Sequence, residues 1–111
     1  MKVCDIIEKL NLRVIGGDDG LQNEVTGGYT SDLLSDVMGN ADEGQVWITL
    51  QTHRNVMAVA SLKDVAAIII VKGFEADVNT IQQSNDEGIP LLSTEMEAFE
   101  VSGRLYDILK Q

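Results

Sequence analysis

From residue 46 to the end of the chain, short apolar runs alternate with longer amphipathic ones, and this alternation constrains the fold more than any other feature. The runs at 46–50, 66–71 and 89–93 read as strands, and the segments at 54–62, 77–87 and 95–110 read as helices. The run Ala66-Ala67-Ile68-Ile69-Ile70-Val71 is continuously apolar, as a strand buried on both faces requires. It is far short of the roughly 20 apolar residues of a membrane span. Strands separated by helices of about ten residues pair in parallel, because a parallel pair needs a crossover connection. The expected architecture is α/β, three layers α/β/α, with a small parallel sheet in the βαβαβα C-terminal part.

The first half is less regular. Val3, Ile6, Ile7 and Leu10 fall at i, i+3, i+4 and i+7, which predicts a helix over 2–10 ending near Asn11. A short strand is expected at 12–15, a turn through Gly16-Gly17-Asp18-Asp19-Gly20, and a second short strand at 24–26. Residues 27–45 read as an irregular connection with one helical turn around 31–38. Asp77 is placed to cap a helix that Gly88 ends in the left-handed conformation. Thr94-Glu95-Met96-Glu97 fits a capping box, and Ala98, Val101, Leu105 and Ile108 form the core-facing stripe behind it. At 111 residues all of this fits one domain, 1–111.

Composition narrows function. A net charge of −10 repels nucleic-acid phosphates and anionic membrane surfaces, so neither is an expected partner. One cysteine, Cys4, excludes an internal disulfide, and with the single histidine, His53, it is too little for a closed zinc or iron–sulfur site. The N-terminus carries no apolar signal run, so a reducing, cytoplasmic setting is expected, with no metal and no cofactor.

In an open parallel sheet, ligands gather beyond the carboxyl ends of the strands. Those ends fall at 49–55, 71–74 and 93–95. Thr49, Thr52, His53, Arg54 and Asn55 lead into a helix start that attracts anions, and Lys72, Gly73 and Thr94 lie on the same rim. Each has a structural alternative: Thr52 as a helix cap, His53 as a surface residue, Arg54 and Lys72 as solvated charges. Gly27-Gly28-Tyr29-Thr30-Ser31-Asp32 adds a hydroxyl-rich helix start in which Thr30 or Ser31 also serves as an ordinary cap. Cys4 and Trp47 read as packing residues. The Gly16–Gly20 cluster lacks the Lys-Ser/Thr ending of a phosphate loop, and no constellation for catalysis is visible.

Gly28-Tyr29-Thr30-Ser31-Asp32-Leu33-Leu34-Ser35-Asp36-Val37-Met38, Gly44-Gln45-Val46-Trp47-Ile48-Thr49 and His53-Arg54-Asn55-Val56-Met57-Ala58-Val59-Ala60 together resemble the DRTGG domain and the N-terminal domain of HPr kinase/phosphorylase. The similarity continues through Ala67 to Phe74 and Gly88 to Thr94. The resemblance implies an accessory, regulatory module, fused to kinase, phosphotransacetylase or CBS-type domains or standing alone near iron-only hydrogenase subunits. A fainter likeness to the N-terminal domains of Mur ligases implies a nucleotide pocket lined by Ser31 and Thr49. The DRTGG letters themselves are replaced here by Thr52-His53-Arg54-Asn55 and Val71-Lys72-Gly73-Phe74, and the kinase phosphate loop is absent. The expected function is a non-catalytic module that binds a nucleotide or other small anion at a site drawn from Ser31, Asp32, Thr49, Thr52, His53, Arg54, Asn55, Lys72, Gly73 and Thr94. Expected partners are a second copy and a hydrogenase subunit or kinase. The alternatives are a purely structural oligomerisation unit and a phosphotransfer enzyme.

Overall fold

In a computed structural model describing residues 1–110, the alternation inside each strand sorts the apolar side chains onto two faces. Val46, Ile48, Ala67, Ile69, Val71 and Leu92 join one buried cluster, and Trp47, Ile68, Ile70 and Leu91 join the other. A sheet apolar on both faces needs helices on both. The first face is covered by α1 (Val3–Leu10) and α5 (Ala98–Leu109), through Val3, Ile6, Leu10, Val101 and Leu105. The second is covered by α2 (Leu34–Asn40), α3 (Asn55–Lys63) and α4 (Val78–Glu87). Val37, Val56, Met57 and Ala60 carry that packing. Ala98 and Ile108 pack at the edge of the first cluster, completing the expected stripe of α5.

The strands are β1 (Arg13–Gly16), β2 (Gly27–Thr30), β3 (Gln45–Thr49), β4 (Ala67–Ile70) and β5 (Leu91–Ser93), in the sheet order β1-β5-β4-β3-β2. Strands β2 to β5 run parallel, with Tyr29 beside Trp47, Trp47 beside Ile68, and Ile68 beside Leu91. Strand β1 runs antiparallel to β5, with Arg13 opposite Ser93. The three-layer α/β/α expectation holds, with a sheet wider than the parallel part expected and mixed at one edge.

Several local expectations are corrected. The second strand is Gly27–Thr30 rather than 24–26; Glu24 makes only an isolated bridge with Lys2, because the Val25 N–H bonds to the Met1 carbonyl and the Val3 N–H to the Asn23 carbonyl. Residues 27–45 are therefore not an irregular connection with one turn but a strand followed by α2, which begins at Leu34, beyond Ser31. Helix α5 begins at Ala98 with Glu97 in the cap position, so Thr94-Glu95-Met96-Glu97 is no capping box; the Thr94 hydroxyl accepts from the Met96 N–H instead. Asp77 occupies the cap position of α4 without a side-chain cap bond, its carboxylate turned to His53. Thr52 does not cap α3, whose cap position is Arg54.

The turn after β1 depends on one residue. Gly17 has φ +73, its N–H donates to Asn85 Oδ1 at 2.8 Å, and a Cβ there would run into the Ile89 carbonyl. Gly39, in α2, has open space around it. Gly17→Ala is expected to lower stability by about 2 kcal/mol or more. Gly39→Ala is expected to be neutral or stabilising by up to about 1 kcal/mol. Urea denaturation of the two variants checks the contrast.

Candidate functional site

The paths of the crossovers locate the rim. From β2 to β5 each connection runs through α2, α3 or α4 on the second face, and the chain then leaves β5 for α5 on the first face. Connections therefore part to opposite faces between the carboxyl ends of β4 and β5, the place where an open sheet forms its crevice. Here the two loops are laced together. The Lys72 N–H donates to the Met96 carbonyl and the Gly73 N–H to the Thr94 carbonyl, each at 2.9 Å. Lys72 and Gly73 are both left-handed, with φ +62 and +69. The Glu95 carboxylate lies against Gly73, so a side chain at residue 73 would require that carboxylate to move as well as a strained left-handed backbone.

The loop after β3 is tied to the same assembly. The Thr52 carbonyl accepts from the Asp77 N–H at 3.1 Å and from the hydroxyl of fully buried Thr80 at 2.8 Å. His53 Nδ1 lies 3.0 Å from Asp77 Oδ2. His53, Arg54 and Asn55 line a shallow depression with Asp77 and Asn79. Arg54 and Lys72 form no ion pair among the described residues.

Ser31, Asp32 and Thr49 have a different arrangement. Asp32 Oδ1 accepts from Thr49 Oγ1 at 2.9 Å and from the Leu50 N–H at 2.7 Å, while its carbonyl accepts from Gln51 Nε2. Trp47 Nε1 donates to the Ser31 carbonyl, and Ser31 Oγ accepts from the Leu33 N–H. These residues form a clasp joining the end of β2 to the end of β3, with the groups expected to meet a ligand engaged by neighbours. Beside it, the Tyr29 hydroxyl donates to Asp36 at 2.9 Å. The hydroxyls of Ser31 and Tyr29 hold the Asp36 carboxyl below its ordinary range, and the bond to Asp36 holds the Tyr29 phenol above its own.

Two clefts join residues that sequence spacing kept apart. Arg13 and Arg104 both line a cleft of about 420 Å³ at the carboxyl end of β5, shared with Ser93, Thr94, Glu95, Met96 and Glu100. Of the expected site residues only Thr94 lies there. The signal that would have found the arginines is the antiparallel placement of β1 beside β5, which no local pattern reveals. A second cleft, of about 480 Å³, runs between α5 and β2, floored by Ile48 and Leu105 and left open by Gly27 and Gly28. Among the described residues, no three His, Cys, Asp or Glu side chains group as metal ligands, and no helix is long and apolar enough to cross a membrane.

A mixed five-stranded sheet, helices on both faces and a hydrogen-bonded rim at the carboxyl edge define a small α/β domain. The chain belongs to the DRTGG domain family, whose model matches residues 5–108. It is similar in fold to the CBS and DRTGG domains of the regulatory region of Clostridium perfringens pyrophosphatase, a structure complexed with its activator, diadenosine tetraphosphate. The TM-score is 0.73 at 14% identity, and the match covers 95% of this chain and 45% of that one. No curated protein matches the sequence.

The Tyr29–Asp36 pair gives the fold a pH dependence with a definite sign. Asp36 titrates lower folded than unfolded, so its contribution is present above the ordinary carboxylate range near 4 and is lost as pH falls through its depressed value. Tyr29 titrates higher folded than unfolded, so its contribution is present below 10 and is lost as pH rises through its raised value. Thermal melts are expected to show Asp36→Asn flattening the acid limb and Tyr29→Phe flattening the alkaline limb.

Proposed function

We propose that this chain is a non-catalytic regulatory module that senses a small anionic ligand, a nucleotide foremost, on the rim formed by the loops after β3, β4 and β5, and relays occupancy to a partner enzyme. The observation that carries the reading is the rim's construction. Its backbone groups satisfy one another, while Arg54 and Lys72 stand beside them without a protein counter-ion. In a chain of net charge −10, such cations are the natural contacts for phosphate. Asp77 and Glu95 offer acceptors for ligand hydroxyl or amino groups. Membership of the DRTGG family and the nucleotide activator bound by the Clostridium perfringens regulatory region support the same reading. The site draws on Thr52, His53, Arg54, Asn55, Lys72, Gly73 and Thr94, with Ser31, Asp32 and Thr49 shaping the adjoining clasp. No step of chemistry is assigned to it.

The module works in the cytoplasm, and its partner is a hydrogenase subunit or a kinase. Self-association as a dimer fits the exposed aromatics of α5, Phe99 at 92% and Tyr106 at 71% exposure, which lie on one side of that helix. The same aromatics favour the second reading, a structural oligomerisation unit without a ligand.

A thermal-shift series with nucleotides, dinucleoside polyphosphates and acyl phosphates separates the two, since a ligand that binds only the folded state raises its stability. The wild type is expected to gain several degrees with a nucleotide, and Arg54→Ala with Lys72→Ala is expected to lose that gain. The unliganded stability of this double variant should change by only about 0.5 kcal/mol per site. A wild type indifferent to the whole series would leave the oligomerisation reading.

A further inference from the structure

We infer that the cleft at the carboxyl end of β5 is a phosphate-anchoring site for a nucleotide, with Arg13 and Arg104 as its two guanidinium forks. This rests on the ligand-sensing reading and extends it to a part of the rim that the expected site residues barely reach. Two of the chain's three arginines converge on this one cleft, one from β1 and one from α5. The cleft also holds two carboxylates, Glu95 and Glu100, and Glu100 engages Arg104, so Arg13 is the guanidinium there with no ion pair among the described residues. Arginine forks match phosphate oxygens in paired hydrogen bonds.

Both forks are lightly held. The one side-chain hydrogen bond of Arg13 is a long contact of 3.5 Å from Nη2 to Ser93 Oγ. Arg104 Nη2 donates to Glu100 Oε2 at 2.9 Å, an exposed pair one helical turn apart that carries little energy and yields to a stronger acceptor. Ser93 is buried, and its hydroxyl accepts from Arg13 without donating to any described residue, which leaves its O–H for the occupant. The apolar side chains of Leu10 and Met96 supply a surface for a flat ring, and Glu95 and Glu100 accept from its hydroxyl or amino groups. At about 420 Å³ the cleft falls within the usual size of small-molecule sites, roughly 300–1,000 Å³.

The position also explains how occupancy would be read. Glu95 lines the cleft and at the same time lies against Gly73, and the Met96 carbonyl holds the Lys72 N–H. An occupant that draws Glu95 or the 94–96 loop toward it therefore acts directly on the left-handed Lys72–Gly73 pair after β4.

The test titrates adenosine monophosphate and inorganic pyrophosphate into the wild type, Arg13→Gln with Arg104→Gln, and Arg54→Ala with Lys72→Ala. Binding is read by thermal shift and by the arginine side-chain N–H resonances, and circular dichroism checks each fold. Loss of about tenfold or more in nucleotide affinity is expected for each cleft arginine removed. Substitution of both by lysine, which keeps charge but not the fork, should restore only part of it. Undiminished binding in the Arg13/Arg104 variant, with loss in the Arg54/Lys72 variant, would overturn the cleft and leave the ligand-sensing reading standing. Perturbation of Arg13 and Arg104 by pyrophosphate, in a wild type that ignores nucleotides, would support the anion anchor and remove nucleotide sensing. Silence of those resonances toward both probes would overturn the anchor.

Discussion

The burial of β4 on both faces is the constraint on which everything else depends. Ala67, Ile68, Ile69 and Ile70, followed by Val71, are all fully buried, so neither face of the central strand can be left to water. Covering one face requires α1 and α5, and covering the other requires α2, α3 and α4. Burial of each of these isoleucine and valine side chains contributes about 1.5–3 kcal/mol relative to exposure, and the strand's neighbours share in it. Once both layers are required, the parallel strands must be joined by helical crossovers. Their loops then collect at one edge of the sheet.

That edge is where the fold's polar requirements are met. A buried backbone N–H or carbonyl needs a partner, and the loops after β3, β4 and β5 supply partners for one another through Thr52, Lys72, Gly73, Thr94 and Met96. Asp32 does the same for the end of β3, closing on both the Thr49 hydroxyl and the Leu50 N–H. The consequence is a rim whose backbone groups are satisfied by one another, beside which Arg54 and Lys72 form no ion pair among the described residues. The change of face after β5 puts the β4–β5 junction between the two helical layers, with the 72–73 and 94–96 loops hydrogen-bonded across it.

Much of this was legible in the sequence because short continuous apolar runs and helical periodicity are local signals. The three later strands and their helices, the first helix, and Gly88 as a helix terminator follow from such patterns. Strand β2 escaped because Gly27-Gly28 has little strand propensity, and its place in the sheet comes from pairing with β3, a tertiary effect. The capping-box reading of residues 94–97 failed for a similar reason: the pattern was present, but the Thr94 N–H donates to the Ile70 carbonyl and the Thr94 hydroxyl accepts from the Met96 N–H, while the helix begins only at Ala98. The rim loops were correctly brought together by topology. The convergence of Arg13 on Arg104 was invisible, because it requires knowing that β1 folds back antiparallel to β5.

The proposed ligand site lies where the crossovers part, at the β4–β5 junction. Amide hydrogen exchange with and without adenosine monophosphate tests it most directly, since it reports on the backbone without altering any residue. Slowed exchange is expected at Lys72, Gly73 and Thr94 to Met96, with the distant cleft between α5 and β2 unchanged. Protection confined to Gly27–Thr30 and the end of α5, with the 71–73 and 94–96 loops unaffected, would contradict it.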